Sequence, residues 1–169
     1  MVVEDGTGLA DSNSYVSVVF ADDYFSARGV SGWDALTVEQ KEQALIRATD
    51  FIDNIFQWCG KKATVEQALR FPRVNLKDYE GNVIEGIPTC LKQATCDVAN
   101  VTASGKELFA TAKENGDVVS ETITSLSFTY SKTERTTTSK TLYDSVNTKL
   151  RGLYVDSTKG HIQTGKMHR

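Results

Sequence analysis

The chain has 169 residues, of which 40% are hydrophobic and 24% charged, with a formal net charge of −3 and a pI near 5.4. That length suits one domain, with at most an extra arm, and is enough for a real core. No run approaches the roughly 20 apolar residues of a membrane span, and so acidic a balance is poor for a protein that wraps duplex DNA unaided.

The charge is uneven. Residues 1–58 hold ten acids and three bases (−7), residues 59–115 hold seven acids and eight bases (+1), and residues 116–169 hold five acids and eight bases (+3). An acidic face and a basic tail that meet different neighbours are expected. The opening MVVEDGTG lacks the basic-then-apolar order of a signal peptide, so synthesis in the cytoplasm is expected. Cys59, Cys90 and Cys96 are odd in number and lack CxxC spacing. They read as small buried hydrophobes rather than as disulfides or zinc ligands.

Residues 1–14 are rich in Gly, Asp, Ser and Asn and read as an extended lead-in that becomes a turn. Ser17 is a plausible N-cap for a helix over Val18–Arg28, closed by Gly29. The longest helical pattern runs from Thr37 to Trp58. Thr37 and Gln40 form a capping box, and Leu45, Ala48, Ile52, Ile55 and Phe56 make one apolar stripe. Arg47, Asp50 and Asn54 fall on the wet side. Thr64 with Gln67 repeats the box, which predicts a short helix from Val65 to about Leu69, ended by Pro72.

Arg70-Phe71-Pro72-Arg73 is a loop with an aromatic anchor between two bases. It reads either as a contact for phosphate or an acidic neighbour, or as a packed Phe71 with two solvated arginines. Residues 77–82 look like a turn. Ile87-Pro88 opens a further helix with Leu91, Ala94, Val98 and Val101 as its stripe, interrupted at Gly105 and continuing to about Lys113. From Val118 the residues are β-branched, and Leu126, Phe128 and Tyr130 alternate with polar neighbours. Ile123 is out of phase with them, so two short strands or one bent strand are expected, with the break near Thr124-Ser125. Ser139 can cap a last helix from Lys140 to about Gly152. The fold class is thus mainly α: a small bundle of four to five helices with a β-hairpin or bent strand pair before the last helix. The domain covers residues 1–154, with its arm at about 118–132, and an extended C-terminal tail covers 155–169. That tail reads as a docking strap or an inert end.

Catalytic chemistry is sparse. Both histidines, His161 and His168, lie in the last nine residues, which removes most Ser-His and Cys-His mechanisms and most metal sites. No GxxxxGK[ST] or GxGxxG phosphate loop is present. The acid pairs Glu4-Asp5 and Asp22-Asp23 read as solvated positions. No catalytic residue, cofactor or metal is expected, and a non-enzymatic assembly or binding role is.

VVEDGTGLADSNSYVSV, ADDYFSARG, the W-x-x-L-T-x-x-x-K-E-x-A-L-I-R-A-T-D-F-I-D pattern from Trp33 to Asp53, the segment from Gln67 to Arg73, and Gly81 and Ile84 ahead of Ile87-Pro88 recur together. This order resembles a tailed-bacteriophage family often labelled DnaT-like single-stranded-DNA-binding. In layout it also resembles the head–tail connector (adaptor) proteins of long-tailed phages. The likeness covers about residues 2–100; the strands and last helix match in type only. The connector resemblance implies a structural virion protein made in the host cytoplasm and placed at the head–tail interface. It would be a homo-oligomeric ring, commonly of about twelve copies, with the portal above and a stopper, neck or tail protein below. Double-stranded DNA would pass without specific binding, and no membrane is involved. On that reading Lys159, His161, Ile162, Lys166 and Arg169 would dock the portal, and Leu126, Phe128, Tyr130, Arg70 and Arg73 would line the subunit interface. The other reading is the label itself, a single-stranded-DNA-binding replication accessory, which needs a basic groove with aromatics for base stacking.

Overall fold

Thr37 organises the longest helix. Its side chain accepts from the Gln40 N–H at 3.3 Å while Gln40 Oε1 accepts from the Thr37 N–H at 2.9 Å, so two otherwise unpaired donors are satisfied at once. In the computed structural model this helix spans Val38–Ile55 and is named α2; it follows α1, Val18–Ser26. The structure describes residues 1–78, 80–105, 121–123, 126–128 and 137–155. Among these, α3 spans Thr89–Ala103 and α4 spans Thr137–Leu150. Two antiparallel strand pairs complete the described elements: β1 (Lys61–Lys62) with β2 (Arg73–Val74), and β3 (Glu121–Ile123) with β4 (Leu126–Phe128). The protein is mostly helical.

The stripe on α2 faces the core, with Ile55 only half-buried. Leu45, Ala48, Ile52 and Phe56 are in the core, while Arg47, Asp50 and Asn54 are exposed. α3 packs on α2 and α4 packs on α3; Leu91, Ala94 and Val98 of α3 and Val146 and Leu150 of α4 are buried, while Val101 is half-buried. Trp33, Phe25 and Tyr15, from the connections and α1, fill the rest. Removing this much apolar surface from water is the main favourable contribution to folding. At the α1–α3–α4 junction, Lys149 pairs with Asp97, the Tyr24 hydroxyl donates to Asp97 Oδ1 at 2.8 Å, and Arg28 lies 3.6 Å over the Tyr24 ring. Cys96 is buried beside this group, and burial pushes its thiol up to about 12, so it behaves as a hydrophobe.

Several expectations change. No helix forms over Val65–Leu69. The Thr64/Gln67 box is made, but Gln67 is buried and its Nε2 donates to the carbonyls of Leu69 and Pro72. The side chain thus bends the chain into a loop instead of starting a helix. α1 stops two residues short of Arg28, whose guanidinium caps the Tyr24 carbonyl. Pro88 occupies the N-cap of α3 rather than its first turn, and α3 ends at Ala103, with Gly105 at φ +72. The helix expected over Lys106–Lys113 lies outside the described residues. α4 begins at Thr137, so Ser139 is inside it. Thr136 to Ser139 are four consecutive hydroxyl residues, and the capping signal does not choose between them. The acid pairs are not simply solvated. Glu4 is buried and accepts from the N–H groups of Gly6, Gly8 and Leu9 and from Ser12 Oγ. Asp22 accepts from Trp33 Nε1 at 2.7 Å and pairs with Lys41 at 2.9 Å. A buried carboxylate is tolerable only with such partners.

The β1–β2 pair was not legible in advance. It closes through Gly60, at φ +71, where an added Cβ would lie 2.6 Å from the Val74 carbonyl oxygen. Gly60→Ala is expected to lower stability by roughly 2–3 kcal/mol. Gly81→Ala, at φ +89 in open space, should cost only about 1 kcal/mol. Urea unfolding of the two variants checks the ranking, and equal losses would contradict it.

Candidate functional site

The segment after α2 is a basic turn. Between residues 59 and 77 the chain carries five bases (Lys61, Lys62, Arg70, Arg73, Lys77) against one acid, Glu66, a local charge of +4 in a chain of net −3. The β1–β2 register sets Lys62 opposite Arg73 and Lys61 opposite Val74. Lys61 and Arg70 are exposed. Clustered cations on a short turn are what a phosphate backbone meets favourably.

The two arginines of the Arg70-Phe71-Pro72-Arg73 loop do different work. Phe71 is fully buried, edge-on to both Trp58 and Tyr15. Arg73 is not solvated: its guanidinium donates to the carbonyls of Cys59, Trp58, Gly60 and Arg70. Burial, and then the charge of Arg70, lower its pKa from arginine's ordinary value. It is a clamp that closes the turn on itself. Arg70 donates only its backbone N–H, to Asp53 Oδ2 at 2.9 Å. Its guanidinium has no hydrogen-bond or ion-pair partner among the described residues.

Beneath the turn lies a network. The Tyr15 hydroxyl donates to Asp53 Oδ1 at 2.5 Å and accepts from the Phe71 N–H at 3.2 Å. Tyr15 is fully buried, and burial, reinforced by the Asp53 charge, pushes its hydroxyl far above the usual tyrosine range. Burial also raises the Asp53 carboxyl, against the bonds from Tyr15 and Arg70 that favour its ionised form. The network therefore fixes the backbone at 70–71 and leaves the Arg70 side chain outside.

Beside the turn, an open cleft of about 480 Å³ is lined by the end of α2 (Asn54, Ile55), by Phe56, Gln57 and Trp58, and by both arginines. Residues 153–155 pair with this wall. The Cys59 N–H donates to the Leu153 carbonyl at 2.9 Å, and the Val155 N–H donates to Gln57 at 2.7 Å. The chain therefore leaves the described structure next to the cleft, and the bases Lys159, Lys166 and Arg169 follow. Those three, with His161 and Ile162, lie outside the described residues, as does Tyr130. Leu126 and Phe128 are in β4, remote in sequence from the basic turn, with Phe128 opposite Glu121. Among the described residues no group of His, Cys, Asp and Glu is placed to hold a metal, and no helix is long and apolar enough to cross a membrane.

A family model described as "Putative DnaT-like ssDNA binding protein" matches residues 1–169. The chain belongs to this DnaT-like family. Comparisons with curated proteins and with solved structures find no match. The head–tail connector expectation is corrected accordingly. The family that spans the whole chain is described by single-stranded DNA, and nothing in the match carries a virion, neck, portal-binding or genome-ejection role. The connector likeness rested on layout, and small helical bundles with a strand pair share a layout across unrelated tasks.

The residues missed in the sequence were Lys61, Lys62, Asn54, Gln57 and Trp58. The signal for the lysines was present as the local excess of bases over 59–77, hidden by averaging over 59–115. The cleft is formed between the end of α2 with residues 56–58 and the loop at Arg70 and Arg73, and had no local signal.

Tyr15→Phe leaves the Phe71 N–H without its acceptor and removes one donor from Asp53, and should cost about 2 kcal/mol. Asp53 has a folded pKa above its unfolded one, so its ionisation disfavours the fold. Stability from this group is present below the unfolded pKa and is lost as pH rises through the folded pKa. The stability difference between the native protein and Asp53→Asn should thus fall as pH rises from about 4. Denaturant unfolding across pH checks this, and a difference that grows with pH would contradict it.

Proposed function

We propose that this DnaT-like protein binds single-stranded DNA without catalysing a reaction, holding the backbone on the basic turn of residues 59–77. The observation that carries this reading is Arg70, an exposed guanidinium with no partner among the described residues, displayed on a turn whose own geometry is fixed by Arg73 and Asp53. Family membership supports the substrate class. The backbone that carries the guanidinium is fixed in advance, so only the side chain has to be ordered on meeting a phosphate. Lys61 and Lys77, in the same stretch, are also exposed. Lys159, Lys166 and Arg169 add three charges on the segment that departs beside the cleft. The overall charge of −3 limits the grip to this one region, which suits a protein that must release its strand.

Fluorescence anisotropy with a labelled oligothymidylate tests the reading. The apparent affinity should fall linearly with salt on a double-logarithmic plot. Arg70→Ala should flatten the slope by about 0.7, the share of one single-strand phosphate contact. Replacing Lys159, Lys166 and Arg169 together by alanine should flatten it by up to about 2. Arg47→Ala, on the exposed side of α2, should leave it unchanged. Absence of salt-dependent binding in the native protein would overturn the reading.

A further inference from the structure

We propose that the ring of Tyr154 occupies a base-stacking position on Phe56, from which an unstacked base of the bound strand displaces it. This rests on the single-stranded-DNA reading and adds a sequence-tolerant stacking platform to the phosphate surface.

Strand geometry builds the platform. Phe56 leaves α2 in extended backbone, at φ −110 and ψ 138, so it shares a face with Trp58 two residues on. Trp58 is bridged antiparallel to Tyr154, and the flanking bonds run from the Cys59 N–H to Leu153 and from the Val155 N–H to Gln57. Residues opposed in that way hold their side chains close together on one face. The rings follow: the Phe56 ring lies 5.4 Å from that of Trp58 and 4.6 Å from that of Tyr154, both tilted. Phe56 and Trp58 are buried while Tyr154 is half-buried, so Tyr154 is the outer member of the group.

The segment that carries this cover is fixed at one end. Leu153 is buried, its N–H donates to the Leu150 carbonyl at 3.0 Å, and its carbonyl accepts from the Cys59 N–H at 2.9 Å. Beyond it burial falls away, and Val155 is 48% exposed. Turning Tyr154 and Val155 outward breaks the bond from Val155 to Gln57 and leaves Leu153 in place. What is then uncovered suits a single strand: Phe56 and Trp58 line the cleft together with Arg70, and aromatic rings beside an exposed cation are what a base and its phosphate meet in single-strand binders. Replacing one aromatic ring by another on Phe56 nearly conserves the stacking contact. Phosphate contacts at Arg70, and at the bases that follow Val155 in the sequence, therefore decide between the covered and the occupied state.

The test locks the cover in the full chain. Gln57→Cys with Val155→Cys, and Cys59→Ser to prevent mispairing, sets two thiols at facing strand positions within disulfide reach. The oxidised form should bind a short oligothymidylate about tenfold more weakly than the same protein reduced, within the range of one lost base stack. A strand of equal length with abasic sugars should bind both forms equally. Tyr154→Ala removes the cover and should tighten oligothymidylate several-fold, again without effect on the abasic strand. In the native protein, saturating oligothymidylate should speed amide exchange at Val155 and leave Cys59 protected. Equal affinity of the oxidised and reduced forms for oligothymidylate, or a Val155 amide equally protected in the complex, would overturn the displaced cover while leaving phosphate binding intact. No binding of either probe would overturn it together with the single-stranded-DNA reading. The redox comparison and the native-protein exchange decide the matter even where Tyr154→Ala is poorly folded.

Discussion

The hydrogen bond from Tyr15 to Asp53 is the constraint on which the rest depends. It joins three parts of the chain that are remote in sequence: the N-terminal lead-in, the last turns of α2, and the loop at 70–71. Each partner is unsuited to its place alone. A buried hydroxyl and a half-buried carboxylate both lose hydration, and the shared bond, two backbone N–H groups and the nearby charge of Arg70 compensate. Once they are made, the loop backbone has one position. Phe71 then enters the core between Trp58 and Tyr15, Arg73 reaches back to close the turn, and Arg70 is left facing solvent.

This division of labour within four residues explains how an acidic protein can present a local cationic surface. One arginine is consumed in holding the turn, so that the other need not be. The carboxylates elsewhere are similarly spent on structure: Glu4 organises the lead-in, Asp22 holds Trp33 and Lys41, and Asp97 holds Lys149. What remains unpaired on the basic turn is positive charge. On the proposed reading, the residue that holds the turn and the residue that meets the strand are thus neighbouring side chains, Arg73 and Arg70.

The periodic features were legible in the sequence for a simple reason. α2, with its capping box and stripe, and α3, with Leu91, Ala94 and Val98, are determined by local spacing, and the core confirms both. The antiparallel pair around Thr124-Ser125 followed from the phase change at Ile123. The misreadings share a different cause. Thr64 and Gln67 form the local box as expected, but the buried Gln67 amide also donates to the carbonyls of Leu69 and Pro72, two and five residues on, and this diverts the chain. Glu4 and Asp22 looked solvated because their donors come from backbone turns and from residues 11 to 19 positions away. The site was half legible. Arg70 and Phe71 stood out as a pair of opposite character, yet the separate role of Arg73 depended on the turn at Gly60.

Photo-cross-linking tests the central claim most directly. A single strand carrying bromodeoxyuridine would be irradiated with the full chain and the linked peptides mapped. The account predicts cross-links concentrated between Asn54 and Arg73 and lost at high salt. Cross-links confined to α1, to the exposed face of α2 or to the Asp78–Asn82 turn, or none at low salt, would contradict it.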